Sequence, residues 1–167
     1  TSSLLYQGDF PDPLVKTGLE LGLMITPSPA ASLSLNFGLS SLATERFYNA
    51  RVSYLEMNGH FRLFPYDRYT PFFSAGLGLI TENLDNRFDF GSPIYPKAQV
   101  GGGVEILVND NTGLRLSADY HYLFSDGLDL IEQGRFNDFY WKGNIGVNFY
   151  FGRKVEGQRK FGPDKDK

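Results

Sequence analysis

Hydrophobic and polar residues alternate along most of this chain. From Val15 to Thr26, Val15, Leu19, Leu21, Leu23 and Ile25 share one parity, while Lys16, Gly18, Glu20 and Gly22 share the other. Side chains point to opposite sides of a strand with period two, so this stretch predicts a strand with one apolar and one polar face. Ala31 to Ser40 repeats it, with Leu33, Leu35, Phe37 and Leu39 opposed to Ser32, Ser34, Asn36 and Gly38. Pro71–Thr81, Lys97–Val108 and Thr112–Phe124 follow the same rule. The clearest case is Phe139–Gly152, where Trp141, Ile145, Val147, Phe149 and Phe151 oppose Tyr140, Lys142, Asn144 and Asn148.

Two stretches fit less simply. Tyr48 to Phe64 changes phase: Tyr48, Ala50, Val52 and Tyr54 alternate first, then Leu55, Met57, Phe61 and Leu63. One extra residue would restore the faces, which predicts a β-bulge near Tyr54–Leu55. Thr1 to Phe10 predicts a further strand, although Leu5 breaks its alternation. Pro27–Ala30, Pro65–Thr70 and Asn109–Thr112 are short turns, whereas Ser41–Phe47, Glu82–Pro96 and Ser125–Asp138 are longer connections.

These lengths reach or exceed the roughly 9–11 residues with which a tilted strand crosses a bilayer. Eight strands, an apolar outer face, and short connections alternating with long ones predict a closed antiparallel up-and-down transmembrane β-barrel. Residues 1–152 form the barrel in this reading, with both termini in the periplasm, and 153–167 form a charged, disordered tail. Tyr48, Phe73, Tyr120, Tyr122, Trp141, Phe149 and Phe151 are the expected membrane-interface aromatics, since such rings favour the headgroup level.

Composition changes this picture little. Aromatics at 16% and the 19 glycines suit a curved sheet with a crowded interior, and the net charge of -3 argues against nucleic acid. Cysteine is absent, which removes disulfides, thiolate metal sites and thiol nucleophiles.

The inward parity collects Lys16, Glu20, Glu56, His60, Arg62, Lys97, Glu105, Arg115, Asp119, His121 and Lys142. An eight-stranded barrel is just wide enough for side chains to fill it, and isolated buried charges are costly, so these are expected to pair into a plug. A gated ion or proton path would need a continuous file of water that so many large side chains disfavour. By parity His60 and His121 lie near Glu56 and Asp119, so a His–carboxylate pair for catalysis is conceivable, but neither His has a Ser two residues on. Two histidines on different strands make no metal site. The loop acids Asp126, Asp129 and Glu132, or Glu82, Asp85 and Asp89, lack calcium-loop spacing. Gly101–Gly103 lies within a strand and is no phosphate loop. No cofactor is expected.

The runs PYDRYTPFFSAGLGLI, KAQVGGGVEILV and LRLSADYHYLF, with the terminal VNFYFG, resemble the small eight-stranded outer-membrane β-barrels of the OmpA and OmpX type, with a flavour of Bacteroidota envelopes. VNFYFG is similar to the family's C-terminal assembly signal, except that a tail follows it here. The resemblance implies residence in the outer membrane and contact with the lipid bilayer. It also implies a non-enzymatic anchor, scaffold or accessory subunit of an envelope complex for secretion or surface assembly. Its partners would be envelope proteins met through loops 82–96 and 125–138 and tail 153–167. A small lipid-modifying enzyme, a narrow channel and a soluble ligand-binding barrel remain as alternatives, the last disfavoured by the polar interior.

Overall fold

The computed structural model describes residues 2–7, 13–14, 16–44, 49–83, 93–109, 111–124 and 139–151. Seven long strands carry the fold: β3 (Lys16–Ile25), β4 (Ala31–Thr44), β5 (Asn49–Arg62), β6 (Tyr69–Asn83), β7 (Ile94–Asn109), β8 (Thr112–Leu123) and β9 (Phe139–Phe149). Two shorter ones, β1 (Ser2–Gln7) and β2 (Pro13–Leu14), precede them. Every long strand pairs antiparallel with its neighbour in sequence, giving one all-β sheet that curls so that its concave side faces itself. β1 pairs with both β3 and β9, and β2 with β4.

The alternation becomes an inside and an outside. On β3 Glu20 is buried while Leu19, Leu21, Leu23 and Ile25 are exposed; on β9 Tyr140, Lys142 and Asn144 are buried while Trp141, Ile145 and Val147 are exposed. A fold that buries lysine and exposes leucine has its polarity inverted relative to a water-soluble domain, which is the arrangement expected of a sheet with hydrocarbon outside.

The predicted bulge is absent. β5 keeps a single register against β4 and against β6 throughout, and Val52 and Tyr54 face inward, in phase with Glu56, Asn58 and His60. The apparent phase change arises because the interior is itself apolar at that level. Val52, Tyr54, Ile80, Leu123 and Tyr140 form a buried cluster, with Tyr95 packed against it. The irregularity in the ladders falls instead between Leu107 and Asn109, beside the β7–β8 turn. The strands also run further than expected: Glu82 and Asn83 extend β6, and Ile94–Pro96 belong to β7. Much of the remaining 82–96 segment, all of 125–138 and the tail 153–167 lie outside the described residues, as does Tyr48.

The short connections are pinned by local hydrogen bonds. Ser28 accepts from the Ala31 N–H at 3.1 Å, Thr70 Oγ1 donates to the carbonyls of Phe64 and Asp67 at 3.0 Å each, and Asn109 Oδ1 accepts from the Asn111 N–H at 2.9 Å. Such side-chain to backbone bonds are why Ser, Thr and Asn are favoured in turns.

Glycine makes room for the large interior groups. A Cβ at Gly38 would fall inside the ring of Tyr54, and one at Gly101 would meet the carboxylate of Asp119. Gly38→Val is therefore expected to destabilise by about 1–3 kcal/mol through overpacking. Gly59→Ala, where an added Cβ would come no nearer than 3.8 Å to the Ala75 carbonyl, serves as control. Urea midpoints in detergent test this; equal midpoints for the two variants would refute the packing argument.

Candidate functional site: the interior charge network

Below the apolar cluster the inward positions bring three strands together on one carboxylate and link a fourth to it through Lys142. Glu56 of β5 accepts from Lys97 Nζ of β7 at 2.5 Å and from Lys142 Nζ of β9 at 2.7 Å. Lys142 also donates to Glu20 of β3 at 2.9 Å, and Tyr54 donates to the same Glu20 oxygen at 3.1 Å. Lys97 reaches Tyr140 Oη at 2.5 Å and lies 4.6 Å from the centroid of the Tyr54 ring. Gln99 bridges Glu56 and Asn58. Glu56, Lys97, Lys142 and His121 are almost wholly sealed from solvent. Charges buried this deeply persist only when paired and hydrogen-bonded, as Glu56, Lys97 and Lys142 are.

Two further groups extend the network toward the short-turn end. Asp119 accepts from Ser74 at 2.9 Å and from Asn144 Nδ2 at 2.9 Å, with Ser117 at 3.3 Å. Beyond it Arg115 approaches His60, Arg62 lies 3.7 Å from Glu105, and Tyr150 bonds to Glu105. Of the charged residues expected inside, only Lys16 stands apart: it is half-buried at the start of β3 and makes none of these bonds.

The expected His–carboxylate pairing takes a different form. His60 sits between Ser34 Oγ, 2.8 Å from its Nε2, and Arg115 Nη2, 2.8 Å from its Nδ1. A guanidinium can only donate, so Nδ1 must be the acceptor and the ring proton lies on Nε2, directed at Ser34. A serine nucleophile needs the opposite tautomer, with a free lone pair on the nitrogen that takes its proton. The Ser34–His60 contact therefore has the spacing of a catalytic dyad with the proton on the wrong partner. At His121 the Nδ1 is 3.9 Å from Glu56 and 3.4 Å from Lys97, and the ring stacks on Tyr140 at 4.4 Å. Lys97 takes the closest approach to Glu56, leaving His121 at the margin. No group of three His, Cys, Asp or Glu among the described residues is placed to hold a metal ion.

Parity alone found the charged members. It missed Tyr54, assigned to the outer face, and gave no weight to Ser34, Asn58, Ser74, Gln99, Tyr140 and Asn144, which hydrogen-bond to the charged groups or to one another. An inward neutral residue one strand from a buried charge was the signal available.

The outward aromatics gather near both strand ends. Tyr120 packs against Trp141 at 5.1 Å and Phe139 at 5.6 Å, and Tyr122 against Phe124 at 5.7 Å. Phe61, Phe64, Tyr66, Tyr69, Phe73, Phe149 and Phe151 are exposed toward the short-turn end.

The network predicts a cost for breaking it. Glu56→Ala leaves Lys97 and Lys142 without their shared carboxylate and should lose roughly 3–5 kcal/mol, as for other broken buried pairs. Adding Lys97→Met should recover part of that loss. Denaturant midpoints of the two single variants and the double variant give the coupling, and additive losses would refute a shared network.

No protein-family model matches the chain, and no curated protein matches it in sequence. Solved structures do. Neisserial surface protein A (NspA) superposes with TM-score 0.68 at 11% identity, over 90% of this chain and 93% of that one. The N-terminal β-barrel domain of Pseudomonas aeruginosa OprF gives TM-score 0.50 at 18% identity, over 89% of this chain and 93% of the domain. The outer-membrane enzyme PagL gives 0.49 at 14% identity, over 90% of this chain and 99% of that one. At such identities the likeness to NspA and to the OprF domain is one of fold, and the fold is that of the small outer-membrane β-barrels.

Proposed function

We propose that the chain is a closed eight-stranded barrel of the bacterial outer membrane that anchors or scaffolds other envelope components and catalyses no reaction. In this reading β1 completes the wall, as its pairing with both β3 and β9 supports, and β2 extends the rim. Both termini are periplasmic. Loops 82–96 and 125–138 and the tail 153–167 carry the contacts, as in an accessory subunit of a Bacteroidota-type secretion or surface-assembly complex.

The observation that carries the proposal is an interior blocked by packed side chains at two successive levels. The apolar cluster of Val52, Tyr54, Ile80, Leu123 and Tyr140 caps one level, and the ion pairs of Glu56 with Lys97 and Lys142 cross-link the level beneath it. A water file would have to displace both. The Ser34–His60 tautomer supports the non-enzymatic part, because it leaves no base for a serine nucleophile. With the wall and those two levels committed to stability, the surfaces free to recognise a partner protein are those at the ends.

The purified protein in planar bilayers should show no steady single-channel conductance, and gentle detergent extraction of native envelopes should yield a stoichiometric partner protein. Regular openings would convert the plug into a channel. A barrel that elutes alone would remove the scaffold role, and recovery in the aqueous fraction would remove the membrane itself.

A further inference from the structure

Large side chains fill the lumen only on the side away from the short turns. Tyr54, Lys97, Leu123 and Tyr140 crowd the apolar cluster and the layer around Glu56, each sealed from solvent. Toward the short turns the inward residues become small. Ser34 of β4, Asn58 of β5, Ser74 of β6, Ser117 of β8 and Asn144 of β9 line one hollow there. A small barrel is filled by its own side chains only where those are large, so strands that meet through serine and asparagine leave space between them. Pro27, Pro65 and Asn111, from three different short turns, stand on the rim of the hollow, which therefore opens at that end. At its other end the pairs of Glu56 with Lys97 and Lys142 close it, with the apolar cluster beyond them. The chamber is blind.

The charges around it are already committed to one another. Lys142 donates to Glu20 and Glu56, and Arg62 lies against Glu105. Asp119 accepts from Ser74, Ser117 and Asn144, and Arg115 is attracted by both Glu105 and Asp119. A charged guest of either sign would have to break such a buried pair, which is costly. An apolar guest would strand the hydroxyls and amides of the wall. The capacity left over is neutral. Asn144 Nδ2 donates to Asp119 and Ser117, and turning the amide over would aim its oxygen at a carboxylate, so its orientation is fixed. Its Oδ1 is buried without a partner among the described residues, on a side chain that lines the chamber. That atom calls for an uncharged donor.

We propose that the chamber takes one short neutral carbohydrate from the short-turn end, with a sugar hydroxyl donating to Asn144 Oδ1. A hydroxyl both donates and accepts, as the serines and asparagines of the wall do, so a sugar can meet them without displacing an ion pair. A few convergent polar groups in a concave site are what orient a small ligand. The closed far end makes this a place of binding and gives the sugar no way through.

The chain contains no cysteine, so one introduced thiol reports alone. In the reconstituted protein, Ser117→Cys should react with a small neutral thiosulfonate, whereas Val52→Cys, inside the apolar cluster, should not. Maltose at saturating concentration should slow the reaction at position 117 at least tenfold, and citrate at the same concentration should leave it unchanged. Asn144→Leu in the same background should keep the thiol reactive and abolish the effect of maltose. Ser34→Cys repeats the measurement from β4 should Ser117→Cys fail to fold. Equal reactivity inside the chamber and at position 52, equal protection by citrate, or protection that survives Asn144→Leu would overturn the proposal. So would a reactive thiol that maltose never protects, the behaviour of a chamber holding water alone.

Discussion

Charges placed inside a wall of strands must find their partners on other strands, and the placement of Glu56 shows how much depends on that. Its carboxylate is held by Lys97 and Lys142, residues 41 and 86 positions away in sequence, and Lys142 in turn reaches Glu20, 122 positions away. These groups come from β3, β5, β7 and β9, so the ion cluster forms only when every intervening ladder is in register. A slip of one residue in any of them turns a whole face over, placing lysine in hydrocarbon and leucine inside. The network is thus a condition on the topology as much as a source of stability. A buried pair need not outweigh an apolar replacement in net energy, yet a broken one is severely costly, and that asymmetry is what selects the register.

The same constraint explains how the interior is divided. Tyrosine is used where charge meets apolar packing. Tyr54 donates its hydroxyl to Glu20 and offers its ring to Lys97 and Lys142, at 4.6 and 4.7 Å, while its body belongs to the cluster with Val52, Ile80 and Leu123. Tyr140 does likewise, accepting from Lys97 and stacking on His121. These two residues join the apolar cap to the ionic layer without leaving a polar gap between them. The room they occupy comes from small residues on neighbouring strands, Gly38 in the case of Tyr54. Large and small inward residues therefore belong together as one design.

Much of this was legible in the chain because period-two alternation is a direct record of which side a residue faces. Leu19 to Ile25, Leu33 to Leu39 and the β9 residues lie on the faces their parity assigns. Parity failed at Val52 and Tyr54 for a physical reason. It equates inward with polar, and the interior near one end of the strands is apolar. A continuous register through β5 was the simpler alternative, and the ladders to β4 and β6 both take it. The interior partners were less legible than the faces. Contact across the lumen depends on stagger between distant strands, which no local pattern encodes; His60 accordingly meets Ser34 and Arg115, where proximity by parity suggested a carboxylate.

The proton on His60 shows why resemblance of parts does not make a site. Ser34 and His60 approach as closely as a nucleophile and its base would, and a list of distances would read them as such. The decisive neighbour is Arg115, packed 3.9 Å over the Phe72 ring and donating to the far nitrogen of the same imidazole. Because guanidinium never accepts, it dictates the tautomer and directs the ring proton at the serine it would otherwise activate. In a triad the corresponding position is an acceptor, which holds the proton on the far nitrogen and frees the near one. Exchanging an acceptor for a donor at one position converts the machinery of proton transfer into a static hydrogen-bond chain. That chain runs Arg115 to His60 to Ser34, tying β8 to β5 to β4, which is the work the rest of the interior also performs.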